Sequence, residues 1–288
     1  MKGKAALNLG LPKGRMQAEV LRLLGDAGLG VRLDERGYRP RLGDAFDAKL
    51  MKAQNIVEML DSGSRDVGFA GADWAAELGS RAVELLDTGL DPVRVVAAAP
   101  AGLLVEGRLP RGRALVVASE YESLARGWIS RNAPEASFLR SYGATESFPP
   151  EDADLIVDNC ASGGTLKANG LVVIDVIMES TTRLYASRQA LADPAKREAA
   201  ESFALVLGAV LEARKRVMVE VNVPAARLAE LSAVLPCLRS PTVAPLEGGE
   251  AFAVRVAAPR SGLAALIPEI KRRGGSDIVV TELAGLVS

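Results

Sequence analysis

One short segment, Asp154-Leu-Ile-Val-Asp158-Asn-Cys-Ala-Ser162-Gly163-Gly164-Thr165-Leu166, combines residue types that can hold a phosphorylated sugar. An apolar run delivers Asp158 into a loop of small residues. Glycines let backbone N–H groups approach a phosphate, the Ser162 and Thr165 hydroxyls can donate to it, and a following helical turn adds its positive end. Asp158 is placed to accept from ribose hydroxyls. The spacing is neither Gly-x-x-x-x-Gly-Lys-Ser/Thr nor Gly-x-Gly-x-x-Gly, which excludes the two common nucleotide loops. Two readings remain: a 5-phosphoribosyl loop, or an ordinary strand–turn–helix with small turn residues.

Three further clusters carry charge at places where ligands bind. Lys13-Gly14-Arg15 follows the first apolar run, and ligands of open α/β sheets sit beyond the carboxyl ends of strands. The pair either meets an anion or is a solvated turn. Lys49 and Lys52, three apart, either line an anionic site or are plain surface lysines. In Gly68-Phe-Ala-Gly71-Ala-Asp73, small residues at a strand end admit a ligand or another backbone. Asp73 there either faces a cleft or caps the next helix. Glu146, a short loop before Asp158, forms with it a pair of acids suited to ribose hydroxyls and to waters on magnesium; the alternative for each is a helix or turn cap.

The chain contains no histidine, so serine–histidine hydrolysis, histidine-ligated zinc and histidine base catalysis are all excluded. The available chemistry is that of carboxylates, Lys/Arg, backbone dipoles and a magnesium ion. A length of 288 residues predicts two or three domains, and 49% hydrophobic with 25% charged residues marks a soluble globular protein. The net charge of -1 offers no general surface for nucleic acid or anionic lipid, so any phosphate site is local. The apolar run 5–11 is too short for a signal peptide or membrane span. Two distant cysteines, Cys160 and Cys237, give neither a disulfide framework nor metal spacing, and a cytoplasmic location is expected.

Periodicity supplies the elements that must position these residues. Residues 4–11 read as a strand, 12–15 as a turn, and 16–27 as a helix stopped by Gly28. A short strand is expected at 31–34, a helix at 56–61, a buried strand at 66–70, and strands at 83–86 and 93–99. This alternation predicts an α/β domain with a largely parallel sheet. A second unit starts near 100: a strand at 114–118, a capping box Ser119-Glu-Tyr-Glu122 opening a helix, a strand at 136–140, the glycine loop, and a strand at 172–178. A helix over 187–215 is broken early by Pro194. The remainder reads βαββαβ, the ferredoxin-like order. The expected domains are lobe I at 1–99, completed by about 180–215; lobe II at 100–179, with the loop; and a C-terminal module at 217–288.

Taken in order, these clusters resemble ATP phosphoribosyltransferase, the first enzyme of histidine biosynthesis. The resemblance rests on Leu11-Pro-Lys-Gly-Arg-Met16, on Asp66-Val-Gly-Phe-Ala-Gly-Ala-Asp73, on the run from Asp158 through Thr165-Leu166 to Asn169-Gly-Leu171, and on Leu235-Pro236 with Ser240-Pro-Thr-Val243. The C-terminal unit makes it similar to the long form. That form has a two-lobed, periplasmic-binding-protein-like α/β catalytic region plus a ferredoxin-like, histidine-binding regulatory domain. The resemblance also implies magnesium, dimers assembling into hexamers, and histidine as an inhibitor. The family reaction joins N1 of the ATP adenine to C1 of phosphoribosyl pyrophosphate and releases pyrophosphate. Carried over, Ser162, Gly163, Gly164 and Thr165 hold the 5-phosphate, Asp158 holds the ribose, and Leu166 belongs to the same substrate-binding run. Lys13 and Arg15 face pyrophosphate or ATP phosphates. Lys52, Asp73 and Glu146 line the cleft, and Glu146 and Asp158 approach magnesium through water.

Two departures stand out: Lys52 occupies a position where the family usually has arginine, and Asn159-Cys-Ala161 is more polar and smaller than the usual apolar pair. They keep open a paralogue with another acceptor. The two-lobed reading keeps open a non-catalytic small-anion-binding protein.

Overall fold

The computed structural model describes residues 6–33, 37–110, 112–238 and 240–287. The expected strand start at Lys4-Ala5 and the Asp34 end of the 31–34 strand lie outside the described residues.

One compact unit comprises Gly30–Ser202 with the residues before Leu23. Its first half runs β1 (Leu7–Pro12), the start of α1 (Gln17–Asp26), β2 (Phe46–Met51), α2 (Ala53–Asp61), β3 (Val67–Gly71) and α3 (Ala72–Glu77). A long strand β4 (Val83–Pro100) leads to a second half: β5 (Val116–Ser119), α4 (Glu122–Asn132), β6 (Ser137–Arg140), β7 (Leu155–Cys160) and α5 (Gly164–Ala168). The nearly as long β8 (Leu171–Ala186) returns, followed by α6 (Arg188–Ala192) and the start of α7 (Pro194–Arg214).

The eight strands form one sheet in the order β2-β1-β3-β8-β4-β7-β5-β6. β1 is parallel to β2 and β3, and β5 is parallel to β6 and β7. β8 runs antiparallel to β3, as β4 does to β7. The same local order therefore occurs twice, mirrored about the β8–β4 pair, and defines two lobes that share their long strands. Each lobe closes its core by one-sided helix burial. In α2, the buried Ala53, Ile56, Val57 and Leu60 form one stripe at helical spacing. A Cβ on Gly68 would stand 2.5 Å from Ile56 Cγ2, so that glycine lets α2 press onto β3. In β4, Val95–Ala99 are wholly buried, alternating between the two core clusters of the second half.

Three expectations change. Residues 31–33 form no strand; Arg32 makes an isolated bridge to Arg41, and the edge strand is β2 instead. The strands expected at 83–86 and 93–99 are one strand, because β8 pairs along the whole of Val83–Pro100 with register shifts around Asp87–Val93. The strand expected at 172–178 likewise extends to Ala186, since β3 gives it a second partner there.

The other compact unit comprises Leu23–Leu29 and the residues from Phe203 onward. It contains β9 (Arg216–Pro224), α8 (Leu228–Ser232), β10 (Thr242–Pro245), β11 (Ala251–Pro259), α9 (Leu263–Arg272) and β12 (Ser276–Glu282). The sheet order β10-β11-β9-β12, antiparallel throughout, is that of a ferredoxin-like fold. β9 alternates strictly: Val217, Val219, Val221 and Val223 face a core with Leu231, Val254, Val256 and Ile270. The helix expected over 225–235 is shorter, a 3-10 turn and then α8, held between Pro224 and Pro236.

Candidate functional site

The candidate residues gather at the carboxyl ends of the parallel strands, where open α/β sheets bind ligands. In lobe II, β7 ends at Cys160 and the chain crosses Ala161-Ser162-Gly163 before α5. Gly163 takes a φ of +80°, a left-handed turn that favours glycine. The segment Asp158–Leu166 lines a hollow of about 250 Å³ together with Glu146. Glu146 comes from a 3-10 turn braced by the buried Ser141 Oγ–Thr145 Oγ1 bond of 2.7 Å. Among the described residues, the backbone N–H groups of Ser162, Gly163, Thr165 and Leu166 have no protein acceptor. α5 has only five residues, so its dipole is slight and the open N–H groups are the loop's main offer to an anion. Burial pushes the Asp158 carboxyl up to about 6, and the charges of Glu146 and Glu120 add to the rise, against a lowering bond from the Asn159 N–H.

In lobe I, the parallel register Pro12↔Met51 sets Lys13 and Lys52 beside each other. Lys13 Nζ lies 3.5 Å above the centroid of the Tyr38 ring, and Lys52 is exposed at the start of α2. Neither lines the loop hollow. Arg15 and Asp73 line a second, smaller hollow of about 50 Å³ between the lobes, with Tyr121, Asn159, Asp91 and Ser180. Lys49 lies within β2, half-buried.

Asp73 does not cap α3; Gly71 holds the N-cap position without a side-chain bond. At 5% exposure Asp73 accepts from Ser180 Oγ at 2.7 Å and from Tyr121 Oη at 2.6 Å, and its N–H donates to Ser180 Oγ at 3.0 Å. A Cβ on Gly71 would stand 2.1 Å from Asp73 Oδ1. The small residue at the end of β3 thus makes room for the carboxylate of Asp73 itself. The capping box expected at Ser119–Glu122 is also absent. Ser119 Oγ accepts from the Tyr121 N–H at 2.8 Å and donates to Val157 O at 2.6 Å. The first turn of α4 is capped from the other lobe: Glu77 accepts from the Ser123 and Leu124 N–H groups, both at 3.0 Å.

Sequence reading did not single out Tyr121, Glu77 and Ser180, and it noted Asn159 only as a departure. Their partners lie 38 to 107 residues away, and no local spacing announces such pairs. Among the described residues no group of three or more His, Cys, Asp or Glu could hold a metal, and no helix is long and apolar enough to cross a membrane.

Known proteins match along the chain. A family model described as ATP phosphoribosyltransferase covers residues 52–207, and one described as its C-terminal domain covers 213–285. The ATP phosphoribosyltransferase of Chlorobium luteolum is 35% identical over 287 residues, covering 98% of this chain and 97% of its own length. That of Pelotomaculum thermopropionicum is 34% identical over 287 residues, covering 98% and 99%. A chain of the ATP phosphoribosyl transferase (HisG:HisZ) complex from Thermotoga maritima superposes with a TM-score of 0.64 at 25% identity, covering 72% of this chain and 98% of its own. The chain therefore belongs to the ATP phosphoribosyltransferase family, the glycosyltransferases of the first step of histidine biosynthesis.

Proposed function

We propose that this chain transfers the 5-phosphoribosyl group of phosphoribosyl pyrophosphate to N1 of ATP, with Asp158–Leu166 as the donor site. The observation that carries the placement is the hollow joining a carboxylate to four unpaired backbone N–H groups. Those N–H groups and the Ser162 and Thr165 hydroxyls suit a 5-phosphate, and Asp158 suits the ribose hydroxyls.

The N1 lone pair forms the new bond to C1 as the C1–O bond breaks, and pyrophosphate leaves with that electron pair. N1 needs no prior deprotonation, so a chain without histidine is chemically adequate. The protein's tasks are alignment and stabilisation of charge on the leaving group. Lys13 and Lys52, adjacent at the strand ends, and Arg15, in the interlobe hollow, are the cations suited to polyphosphate.

Two carboxylates without a third ligand fit magnesium that arrives on pyrophosphate oxygens, with Glu146 and Asp158 reached through water. When bound, it would neutralise charge on the departing pyrophosphate. The ferredoxin-like unit is read as the histidine-responsive module of a homo-oligomer, dimer to hexamer, acting in the cytoplasm.

The test is the chain with ATP, phosphoribosyl pyrophosphate, magnesium and added pyrophosphatase, with and without histidine. An adduct absorbing near the adenine band, suppressed by histidine, is expected. No adduct under these conditions refutes the activity, and an adduct indifferent to histidine refutes the regulatory reading alone.

A further inference from the structure

Asn159 lines both hollows, the one beneath the Asp158–Leu166 loop and the smaller one between the lobes. Its Nδ2 donates to Tyr121 Oη at 3.1 Å and lies 3.4 Å from Asp158 Oδ1. Its backbone N–H donates to the same Asp158 oxygen at 2.7 Å. Tyr121 Oη donates onward to Asp73 Oδ2 at 2.6 Å.

The direction of these bonds is set by one proton. Tyr121 is fully buried, and burial, reinforced by the neighbouring Asp73 charge, pushes its phenol far above the ordinary range. The hydroxyl therefore keeps its proton and commits it to Asp73. Only lone pairs are left to face Asn159, so the amide must present its NH2 side there. Both ends of Tyr121 are fastened. Its ring stacks on Trp74 at 4.6 Å between centroids, and Ser119 ties its backbone to Val157, the residue before Asp158.

We infer that Asp73, Tyr121 and Asn159 form a relay from lobe I to lobe II that fixes the Asp158 carboxylate for the phosphoribosyl donor. Tyr121 and Asn159 are positioning residues in it. The inference rests on Asp158 being the ribose-binding carboxylate. Because the links act in series, breaking either one loosens the same carboxylate, still held by the Asn159 backbone N–H, and breaking both loosens it no further.

The test is steady-state kinetics of the full chain, with both substrates varied, for Tyr121→Phe, Asn159→Leu and the double variant. Each single change is expected to raise the KM for phosphoribosyl pyrophosphate about five- to tenfold, the loss of one hydrogen bond, with the KM for ATP unchanged. The double variant should match the worse single one. Asn159→Gln, which keeps the donating amide, should lie closer to the unsubstituted protein than Asn159→Leu. Multiplying effects in the double variant, or a rise confined to the KM for ATP, overturn the relay. So do silent single variants while Asp158→Ala loses activity, an outcome that leaves the donor-site reading standing. A fully active Asp158→Ala brings down both.

Discussion

An acidic residue lies near the carboxyl end of the third parallel strand of each lobe, Asp73 just past β3 and Asp158 within β7, and the two lobes treat these acids in opposite ways. β3 and β7 hold equivalent places in the mirrored sheet order. After β3 the helix begins at once, and Asp73 is buried with hydrogen bonds to Ser180 and Tyr121. After β7, Ala161-Ser162-Gly163 separates strand from helix, and Asp158 stays partly open above unpaired N–H groups. Folded proteins normally satisfy their buried polar groups, as lobe I does for Asp73. Lobe II leaves these loop N–H groups without protein acceptors among the described residues, as the proposed donor site requires. One topology thus yields a fastening in one lobe and, on the proposed reading, a receptor in the other, and only the second has a spacer of small residues between strand and helix.

The largest expected effect separates the two acids directly. Asp158→Ala should lower kcat/KM for phosphoribosyl pyrophosphate about a hundredfold or more, because charge-assisted bonds to ribose are lost, while thermal stability holds or rises. Asp73→Ala should instead cost about 3 kcal/mol in urea unfolding, since it strands the buried Tyr121 and Ser180 hydroxyls. Equal unfolding midpoints for these two variants would erase the contrast. The loop glycines sharpen it at a smaller scale. Gly71→Ala must displace the Asp73 carboxylate and should cost about 2 kcal/mol. Gly163→Ala meets only Cys160 Sγ at 3.7 Å, so its cost is the left-handed backbone alone, about 1 kcal/mol.

Glu77 extends the fastening one turn along α3. Glu77→Gln keeps the shape but can offer only one acceptor to the two α4 N–H groups, so about 1 kcal/mol should be lost. Neither this clasp nor the Asp73 network was legible in the sequence. Ser119 and Glu122 have capping-box spacing, yet β7 takes the Ser119 hydroxyl and α3 supplies the cap. The strand–loop–helix around Ser162–Thr165 was legible because its apolar run and its glycines are contiguous. So was the βαββαβ unit, because β9 alternates with period two and its proline-bounded elements are short. β4 was not legible as one strand. Asp87-Thr-Gly-Leu-Asp-Pro92 has turn composition, and only the pairing with β8 carries the strand through it. Asn159 sits between these cases: its polarity was visible as a departure, and its partner, Tyr121, only in the fold.

The smallest effect tests the comparison from the side of the proton. The Asp158 carboxyl is raised to about 6 from an ordinary 3.8, mainly by burial. The folded protein therefore holds this proton more tightly than the unfolded chain does. Its stabilising contribution is complete below about pH 4 and is lost as pH rises through about 6. Asp158→Asn removes that contribution, so the stability of the variant relative to the unsubstituted protein should improve across this window. Donor binding should run the other way, because ribose hydroxyls need the carboxylate. The KM for phosphoribosyl pyrophosphate should fall as pH rises through about 6 in the unsubstituted protein, beyond any change seen in Asp158→Asn. The substrate's own phosphate also titrates near 6, but it does so with both proteins and cancels in their ratio. Opposite slopes for stability and binding, both abolished by one substitution, are what a polar group kept for a ligand should give. A flat stability difference across this window would mean that burial does not hold the proton on Asp158, and the contrast between the two lobes would lose its electrostatic side.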